Sequence, residues 1–237
     1  MFQTASYTDP GGRPCNEDCT AVQEREGKLC LVVADGLGGH GGGAQASARA
    51  AEILCAHWDG RVEPEALQAL FQEAHAQVLS LQTPDCPMKT TAAALLLEDG
   101  RAAWAHVGDT RLYHFYNGRL TFQTRDHSVS QVAVLLGDIA PEQIRFHPDR
   151  NRVLRALGQA GDVRVEARGE PLFPGRHAFL LCSDGFWEYV LEEEMGQDLA
   201  AAADPADWIA RMRARLRARV PADNDNNTAA AVWLRQK

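Results

Sequence analysis

The dipeptide Asn117-Gly118 is the feature that most constrains how this 237-residue chain can fold. It lies between two runs rich in aromatic and apolar residues, RLYHFY and RLTFQT. Asparagine and glycine adopt positive φ more readily than other residues, and this pair is typical of the type I′ turn of a two-residue β-hairpin. At least part of the sheet is therefore predicted to be antiparallel.

Further apolar runs predict the remaining elements. Short stretches of apolar and β-branched residues predict strands at Leu29–Ala34, Thr91–Leu97, Ala102–Val107, Leu112–Tyr116, Leu120–Thr124, Ala178–Cys182 and Ala229–Leu234. Apolar residues at helical spacing predict helices at Gly43–Trp58, Pro64–Gln82 and Pro205–Val220. The stretch from about His127 to Arg164 has weaker periodicity and is expected to form a subdomain of its own. This order favours an α+β domain with helices packed on antiparallel sheets.

Composition excludes several classes of protein. The formal charge of −8 argues against binding to nucleic acid, which requires a basic surface. No apolar stretch approaches the roughly 18 residues that span a bilayer, and the first residues do not resemble a signal peptide. We therefore expect a cytoplasmic protein with no membrane partner. We also expect that it is a monomer and that its six cysteines are reduced thiols.

The helix predicted at Pro205–Val220 carries five arginines at alternate positions, from Arg211 to Arg219. Trp208, Ile209, Met212 and Leu216 are expected to be buried, and the arginines spread around the rest of the helix. A solvated face is the simplest interpretation of this arginine run, and a docking surface for a partner is the alternative.

Three aspartates fall at the ends of predicted strands. Asp35 and Asp184 follow the apolar runs LCLVVA and AFLLCS, and Asp225 precedes the last predicted strand. Each of them alone is explained by an ordinary turn, because Asp-Gly and Asp-Asn are common turn formers. Together they indicate that the fold could bring three carboxylates to one point.

Carboxylates that converge repel one another, and a bound cation removes the conflict. A ligand set made only of oxygens, with no neighbouring Cys or His pair, selects hard ions such as Mg²⁺ or Mn²⁺. Gly36 has no side chain, so its carbonyl could approach an ion closely. The sequence therefore predicts a site for two divalent cations, with Asp35 bridging them.

The segment GGRPCNED adds a cation and two more acids. The guanidinium of Arg13 can hold two phosphate oxygens at once. Glu17 and Asp18 can orient waters bound to a metal ion. Read alone, this segment is equally well explained by a surface arginine beside an acidic pair.

Six motifs now appear in a characteristic order: RPCNED, VADGLGGH, HVGDTRLY, TRDHS, LCSDGFWE and DNNT. In order and spacing they resemble the metal-dependent protein phosphatases of type 2C, most of all the compact bacterial members. The resemblance extends from about Thr8 to Leu234. It implies a single catalytic domain over residues 1–237, a four-layer αββα sandwich of two antiparallel β-sheets flanked by helices, with a flap at about 129–161.

The same resemblance assigns roles to individual residues. Asp35 would bridge two metal ions, the Gly36 carbonyl would bind one of them, and Asp184 and Asp225 would bind the other. Asp18 would act on the ions through water.

Three further positions are carried over from the family. Glu17 would also act through water, from outside the ligand set. Asp126 matches a position that in bacterial relatives helps to hold a third, weaker metal ion. Arg13 matches the arginine that binds the substrate phosphate.

One departure affects the proton donor. Many eukaryotic members have a histidine two residues after the bridging aspartate, where this chain has Leu37. Bacterial relatives commonly have a histidine at the position of His40, which is expected to hold the loop in place.

The implied reaction is hydrolysis of phosphoserine or phosphothreonine by a water that bridges the two metal ions, with no phosphoenzyme. The implied substrates are phosphoproteins, including a bacterial serine/threonine kinase and its targets.

Three other functions each have some support in the sequence. A cysteine phosphatase is suggested by the Cys-x5-Arg spacing at Cys19 and Cys55, but neither cysteine begins a helix with a phosphate-binding loop. The glycine-rich loop after Asp35 lacks the lysine of a nucleotide-binding P-loop. A catalytically dead module that only recognises phosphoproteins is the remaining alternative, and retention of all the acids argues against it.

Overall fold

The computed structural model describes residues 1–38 and 42–237, which form ten strands and six α-helices. The strands are β1 (Gln3–Asp9), β2 (Asp18–Arg25), β3 (Lys28–Leu37), β4 (Lys89–Glu98), β5 (Arg101–Val107), β6 (Arg111–Tyr116), β7 (Arg119–Gln123), β8 (Glu166–Pro171), β9 (Gly175–Cys182) and β10 (Asn227–Gln236). The helices are α1 (Gly42–Ala56), α2 (Pro64–Leu81), α3 (Val129–Leu136), α4 (Asp184–Trp187), α5 (Glu192–Ala201) and α6 (Pro205–Arg217). A 3₁₀ helix covers Pro141–Phe146.

The strands form two antiparallel sheets of five strands each in the described residues. The first sheet has the order β1-β10-β9-β6-β7, and the second has the order β2-β3-β4-β5-β8. The two sheets face each other across a dry core that includes Leu31, Trp104 and Phe179. This packing buries both faces of the central strands, which explains why β3 and β4 read as continuous apolar runs.

Helices cover both outer faces. Helices α1 and α2 pack on the second sheet, and α4, α5 and α6 pack on the first. Small residues allow α1 to approach its sheet closely, because Ala46 and Ala50 on the helix share a core with Ala92 and Ala94 on β4. The predicted four-layer αββα sandwich is confirmed. The segment predicted as a flap contains α3 and the 3₁₀ helix.

All seven predicted strands and all three predicted helices are present, with ends that differ by a few residues. The predicted hairpin turn is confirmed, since φ is 49° at Asn117 and 81° at Gly118. One expectation was wrong in detail: Asp35 does not follow its strand but lies inside β3, which continues to Leu37. Strands β1, β2 and β8 and helices α3 to α5 were not predicted.

All six cysteines are free thiols, and Cys30, Cys55 and Cys182 are buried as expected. Among the helices that the structure describes, none is both long and apolar enough to cross a membrane.

Candidate metal centre

Two acids of the second sheet lie opposite each other. In the antiparallel register of β2 and β3, Asp18 pairs with Asp35. Directly opposed side chains in such a pair have Cβ atoms about 4.5–5.5 Å apart, and like charges there destabilise the sheet. A sheet would not place two carboxylates in this way unless another group compensated them.

Two acids of the first sheet lie at the same end of the sandwich. Asp184 is the first residue of α4, just after β9, and Asp225 lies two residues before β10. The neighbouring strands β9 and β10 bring these segments together, and the Ser183 amide donates to the Thr228 carbonyl at 3.1 Å. The Ser183 hydroxyl donates to Asp18 Oδ2 at 2.7 Å, which ties the two sheets together at this end.

A cavity of about 630 Å³ opens where these segments meet. Its lining includes six of the predicted site residues: Arg13, Glu17, Asp35, Gly36, Asp184 and Asp225. Asp18 lies next to this cavity through its pairing with Asp35. The fold therefore brings six of the predicted site residues to one cavity.

The surroundings of Asp18, Asp35 and Asp184 raise the pKa values of their carboxyl groups. Burial, followed by repulsion from Asp18, raises the pKa of Asp35 well above its usual range. Burial and repulsion from Asp109 do the same to the pKa of Asp184. The pKa of Asp18 rises to about 6, mainly because of burial. Among the described residues, burial and neighbouring acids raise these pKa values, and no cationic side chain is among their main causes.

The donor set fits a hard divalent cation. Asp18 Oδ1 is buried and has no hydrogen-bond partner in the described part of the chain. The acids of the cavity offer oxygen atoms alone, the ligands that Mg²⁺ and Mn²⁺ prefer. A Cβ at position 36 would come within 2.2 Å of the Gly43 carbonyl oxygen, so only glycine fits beside the acids. A cation here would offset the repulsion between the carboxylates.

Arg13 and Glu17 lie at the mouth of the cavity. Arg13 Nη2 contacts Asp225 Oδ2 at 3.1 Å, and about half of each side chain is exposed. The backbone amide of Glu17 donates to Asn226 Oδ1 at 2.8 Å. The side-chain amide of Asn226 also donates to the carbonyls of Pro10 and Cys15, and so holds the N-terminal loop against the acids. The sequence analysis did not single out Asn226, although it lies in the DNDNNT segment.

Asp126 lies elsewhere than expected. Its two carboxylate oxygens accept hydrogen bonds from the guanidinium of Arg111 at 2.8 and 2.7 Å, and its side chain is 2% exposed. Arg111 already compensates the charge of this carboxylate, and Asp126 is not among the residues that line the cavity of the other acids. The geometry thus gives no support to the metal-binding role predicted for Asp126.

Asp109 is the acid that the sequence analysis missed. It lies between β5 and β6, where the chain crosses from the second sheet to the first, and it is buried. Burial raises its pKa to about 7, and Asp109 in turn contributes to the raised pKa values of Asp35 and Asp184. Its motif HVGDTRLY was noted in the sequence, but a Gly-Asp pair reads locally as a turn.

A second group of potential metal ligands is formed by residues outside this set of acids. One ligand atom from each of His106, His127 and Glu166 comes within 4.8 Å of the others. The amide of Gly108 donates to His127 Nδ1 at 3.1 Å, so neutral His127 carries its proton on Nε2. The ring therefore presents a proton, not a lone pair, on the side of Glu166. The predicted His40 lies outside the described residues.

A slightly larger cavity, of about 700 Å³, opens at the opposite end of the first sheet. It is lined by apolar residues and by Arg119, Arg176 and Arg235, without a carboxylate. It therefore lacks the ligands that a divalent cation needs.

One end of the two sheets holds clustered carboxylates, and an arginine lies at the mouth of their cavity. These features define a protein that uses divalent cations on a phosphate ester. A family model described as Protein phosphatase 2C matches residues 10–226. The chain therefore belongs to the protein phosphatase 2C family, a family of metal-dependent enzymes, and the resemblance seen in its motifs is confirmed.

Individual relatives agree with the family model. The serine/threonine phosphatase stp of Listeria monocytogenes serotype 4b (strain F2365) is 35% identical over 204 residues, which are 81% of each chain. The solved structure of PppA, a key regulatory component of the T6SS in Pseudomonas aeruginosa, has a TM-score of 0.82 at 29% identity and covers 98% of this chain and 97% of that one. The catalytic domain of the serine/threonine protein phosphatase PstP, solved with two manganese ions, has a TM-score of 0.76 at 30% identity over 98% of this chain and 97% of that one.

Proposed function

We propose that this protein hydrolyses phosphoserine and phosphothreonine side chains of proteins by direct attack of water, with no covalent phosphoenzyme. The observation that carries the proposal is the convergence of carboxylates from both sheets on one cavity, where the raised pKa of Asp35 comes from burial and neighbouring acids. The relatives, which are serine/threonine phosphatases, support the choice of phosphorylated serine and threonine.

The metal ligands proposed are the carboxylates of Asp35, Asp184 and Asp225 and the carbonyl of Gly36. When bound, divalent cations supply an activated water and neutralise charge on the phosphoryl group. Asp18, tied to Ser183 and directly opposite Asp35, would hold water in a fixed orientation beside the ions.

Substrate binding falls to Arg13 in this proposal. It lies at the mouth of the cavity, half exposed, on a loop that Asn226 holds in place. Its planar guanidinium can donate to two oxygens of one phosphate, which orients the phosphorus towards the acids. Glu17 lines the same cavity and would orient water.

Either Mg²⁺ or Mn²⁺ fits the donor set, and the manganese ions of PstP favour Mn²⁺ as the first ion to test. We infer that the substrates are phosphoproteins made by a serine/threonine kinase, including that kinase itself. A cytoplasmic site of action and a monomeric state stay predictions, as does a third ion.

A panel of phosphopeptides carrying phosphoserine, phosphothreonine or phosphotyrosine, assayed for phosphate release with Mn²⁺ and with Mg²⁺, tests the proposal. Hydrolysis of the first two with either ion is expected. Ion binding without turnover of any peptide would instead indicate a module that only recognises phosphoproteins. An autophosphorylated serine/threonine kinase from the same genome tests the partner in the same assay.

One control addresses the nucleophile. Cys15 lines the cavity and is exposed, whereas Cys19 and Cys55, the cysteines with the Cys-x5-Arg spacing, do not line it. The substitution Cys15→Ser removes the one thiol of the described cavity lining. Unchanged turnover is expected, and loss of turnover in this variant would contradict direct attack by water.

A further inference from the structure

Arg145 is a buried arginine in the flap segment. It lies on the 3₁₀ helix Pro141–Phe146, and its side chain is 5% exposed. Its Nη1 donates to the carbonyl of Trp187 at 2.6 Å and lies 3.4 Å from the carbonyls of Glu188 and Val190. All three acceptors follow one another closely at the end of α4.

Helix α4 carries the metal-centre residue Asp184 at its start. Its four residues are far too few for a helix to be stable alone, so contacts from outside must fix both of its ends. At the start, the backbone amide of Ser183 donates to Thr228. At the other end, Arg145 supplies both hydrogen-bond donors and a positive charge, which helix C-termini favour.

A chain of ion pairs connects Arg145 to the buried carboxylate of Asp126. Arg145 Nη2 contacts Glu192 Oε2 at 2.6 Å. The other oxygen of Glu192 accepts from the Tyr113 hydroxyl at 3.2 Å and lies 3.5 Å from Arg111 Nη1. Arg111 in turn holds Asp126 with two hydrogen bonds. Two positive and two negative side chains therefore balance within this network.

The network returns to α4 and to Asp109. The guanidinium of Arg111 lies 3.5 Å from the centre of the Trp187 ring. The indole Nε1 of Trp187 donates to the backbone carbonyl of Asp109 at 3.0 Å. The flap, α4 and the loop that carries Asp109 are thus joined through one set of buried contacts that ends at Arg145.

We propose that Arg145 is a positioning residue: it fixes the flap to the end of α4 and thereby sets how tightly the acid cluster holds its divalent cations. The inference rests on the metal-dependent function proposed above. Partners that orient metal ligands from outside the ligand set typically change metal affinity by about 10–100-fold when they are removed. A residue that served stability alone would leave metal affinity unchanged.

Three variants test this role. Arg145→Met keeps the length of the side chain and removes its donors and charge. Arg145→Lys keeps the charge and one donor towards the carbonyls but loses the contact geometry of the fork. Arg152→Met is the matched control, because Arg152 belongs to the same flap segment and is 70% exposed in a surface pair with Asp149.

The first measurement is Mn²⁺ binding by titration calorimetry, which needs no substrate. We expect the Kd for Mn²⁺ to rise by about 10–100-fold in Arg145→Met, by less in Arg145→Lys, and not at all in Arg152→Met. At saturating Mn²⁺, kcat of the two Arg145 variants should return to within a few-fold of the unsubstituted protein. Wild-type Mn²⁺ affinity in Arg145→Met would overturn the proposal, whatever its melting temperature.

A second substitution covers the case in which Arg145→Met does not fold. Glu192→Gln keeps the shape of the side chain but has one oxygen acceptor in place of the two that serve Tyr113 and Arg145, and it removes the negative charge that joins Arg145 to Arg111. A several-fold weaker Mn²⁺ affinity is expected, and wild-type affinity in both Glu192→Gln and Arg145→Lys would overturn the proposal. Absence of phosphatase activity in the unsubstituted protein would contradict the proposed function alone, because the calorimetric comparison stands without it.

Discussion

Carboxylates occupy two opposite environments in this protein. Between α5 and α6, Glu194 accepts a hydrogen bond from Arg219 at 2.6 Å and another from Arg215 at 3.1 Å. The hydrogen bonds from Arg219 lower the pKa of Glu194 to about 2. In the metal centre, burial raises the pKa of Asp18 to about 6 and that of Asp109 to about 7.

The difference shows which acids the chain compensates by itself. The acids between α5 and α6 are matched by arginines of the same helix pair, and buried Asp126 is matched by Arg111. Asp18 is buried and Asp35 is half-buried, and the two face each other and other acids. Only a ligand from outside can balance their charge, and the family to which the chain belongs uses metal ions.

Asp35→Asn is expected to break the metal centre and to have the largest effect. Because removal of a partner outside the ligand set already costs about 10–100-fold, removal of the proposed bridging ligand should lower kcat/KM by more than about 100-fold at saturating Mn²⁺. Phosphate release from a phosphothreonine peptide measures this. Asp198→Asn, the same change at a carboxylate that Arg215 holds with two hydrogen bonds, is the control and should leave kcat/KM unchanged.

The same two variants should move stability in opposite directions. Without metal ions, Asp35→Asn relieves repulsion and should raise Tm, whereas Asp198→Asn removes an ion pair and should lower it. For a chain of this size, roughly 2–4 °C corresponds to 1 kcal/mol. A lower Tm in metal-free Asp35→Asn would contradict the view that the site acids destabilise the fold.

The pH dependence of stability separates the two environments next. An acid whose pKa is raised by folding keeps its proton in the native protein after the unfolded chain has lost it. Stability without metal ions should therefore fall as pH rises from about 4 to 7, by about 1.4 kcal/mol per pH unit for each such proton. Thermal melts across this range, with EDTA and with Mn²⁺, measure the effect.

Mn²⁺ should remove this loss, because the cation favours the ionised carboxylates. Glu194 behaves in the opposite sense: its contribution is present above the unfolded pKa, which is about 4.3, and is lost as pH falls towards 2. Melts in EDTA that do not change between pH 4 and 7 would show that the site acids are not coupled to folding.

The sequence located the interior of the fold better than its edges. The three strands that were not predicted, β1, β2 and β8, are all edge strands of the two sheets. Most of their exposed positions carry polar residues, so they lack the apolar runs of β3 or β9. The remaining edge strand, β7, was predicted because the Asn117-Gly118 turn marked it.

The site was predictable to a similar degree. Asp35 and Asp184 could be found because each follows an apolar run, and Asp225 because it shortly precedes one. Asp109 lies at a crossing between the sheets, and its burial depends on packing that no local pattern records. The pairing of Asp126 with Arg111 depends likewise on side-chain directions across β6 and the following loop.

A smaller effect is expected at the compensated acids. Glu194→Gln should lower the free energy of unfolding by about 1 kcal/mol, because Arg219 and Arg215 lose a charged partner that is partly open to solvent. Urea denaturation measures this loss, and kcat/KM should stay unchanged because Glu194 lies outside the cavity lining. A loss of activity in Glu194→Gln would show that the two environments are not independent.

The smallest effect on stability is expected at an acid whose charge is already solvated by water. Glu52 on α1 is 58% exposed and contacts Arg49, three residues earlier, at 2.7 Å. Glu52→Gln should cost only about 0.2–0.5 kcal/mol. Even that loss should vanish when ionic strength rises from about 0.01 to about 1 M, because the screening length falls from about 30 to about 3 Å. The opposite result would be an equal loss in free energy of unfolding for Glu52→Gln and Glu194→Gln in urea melts at both salt concentrations. Burial would then not be what distinguishes one carboxylate from another in this protein. The raised pKa values would no longer mark the metal centre.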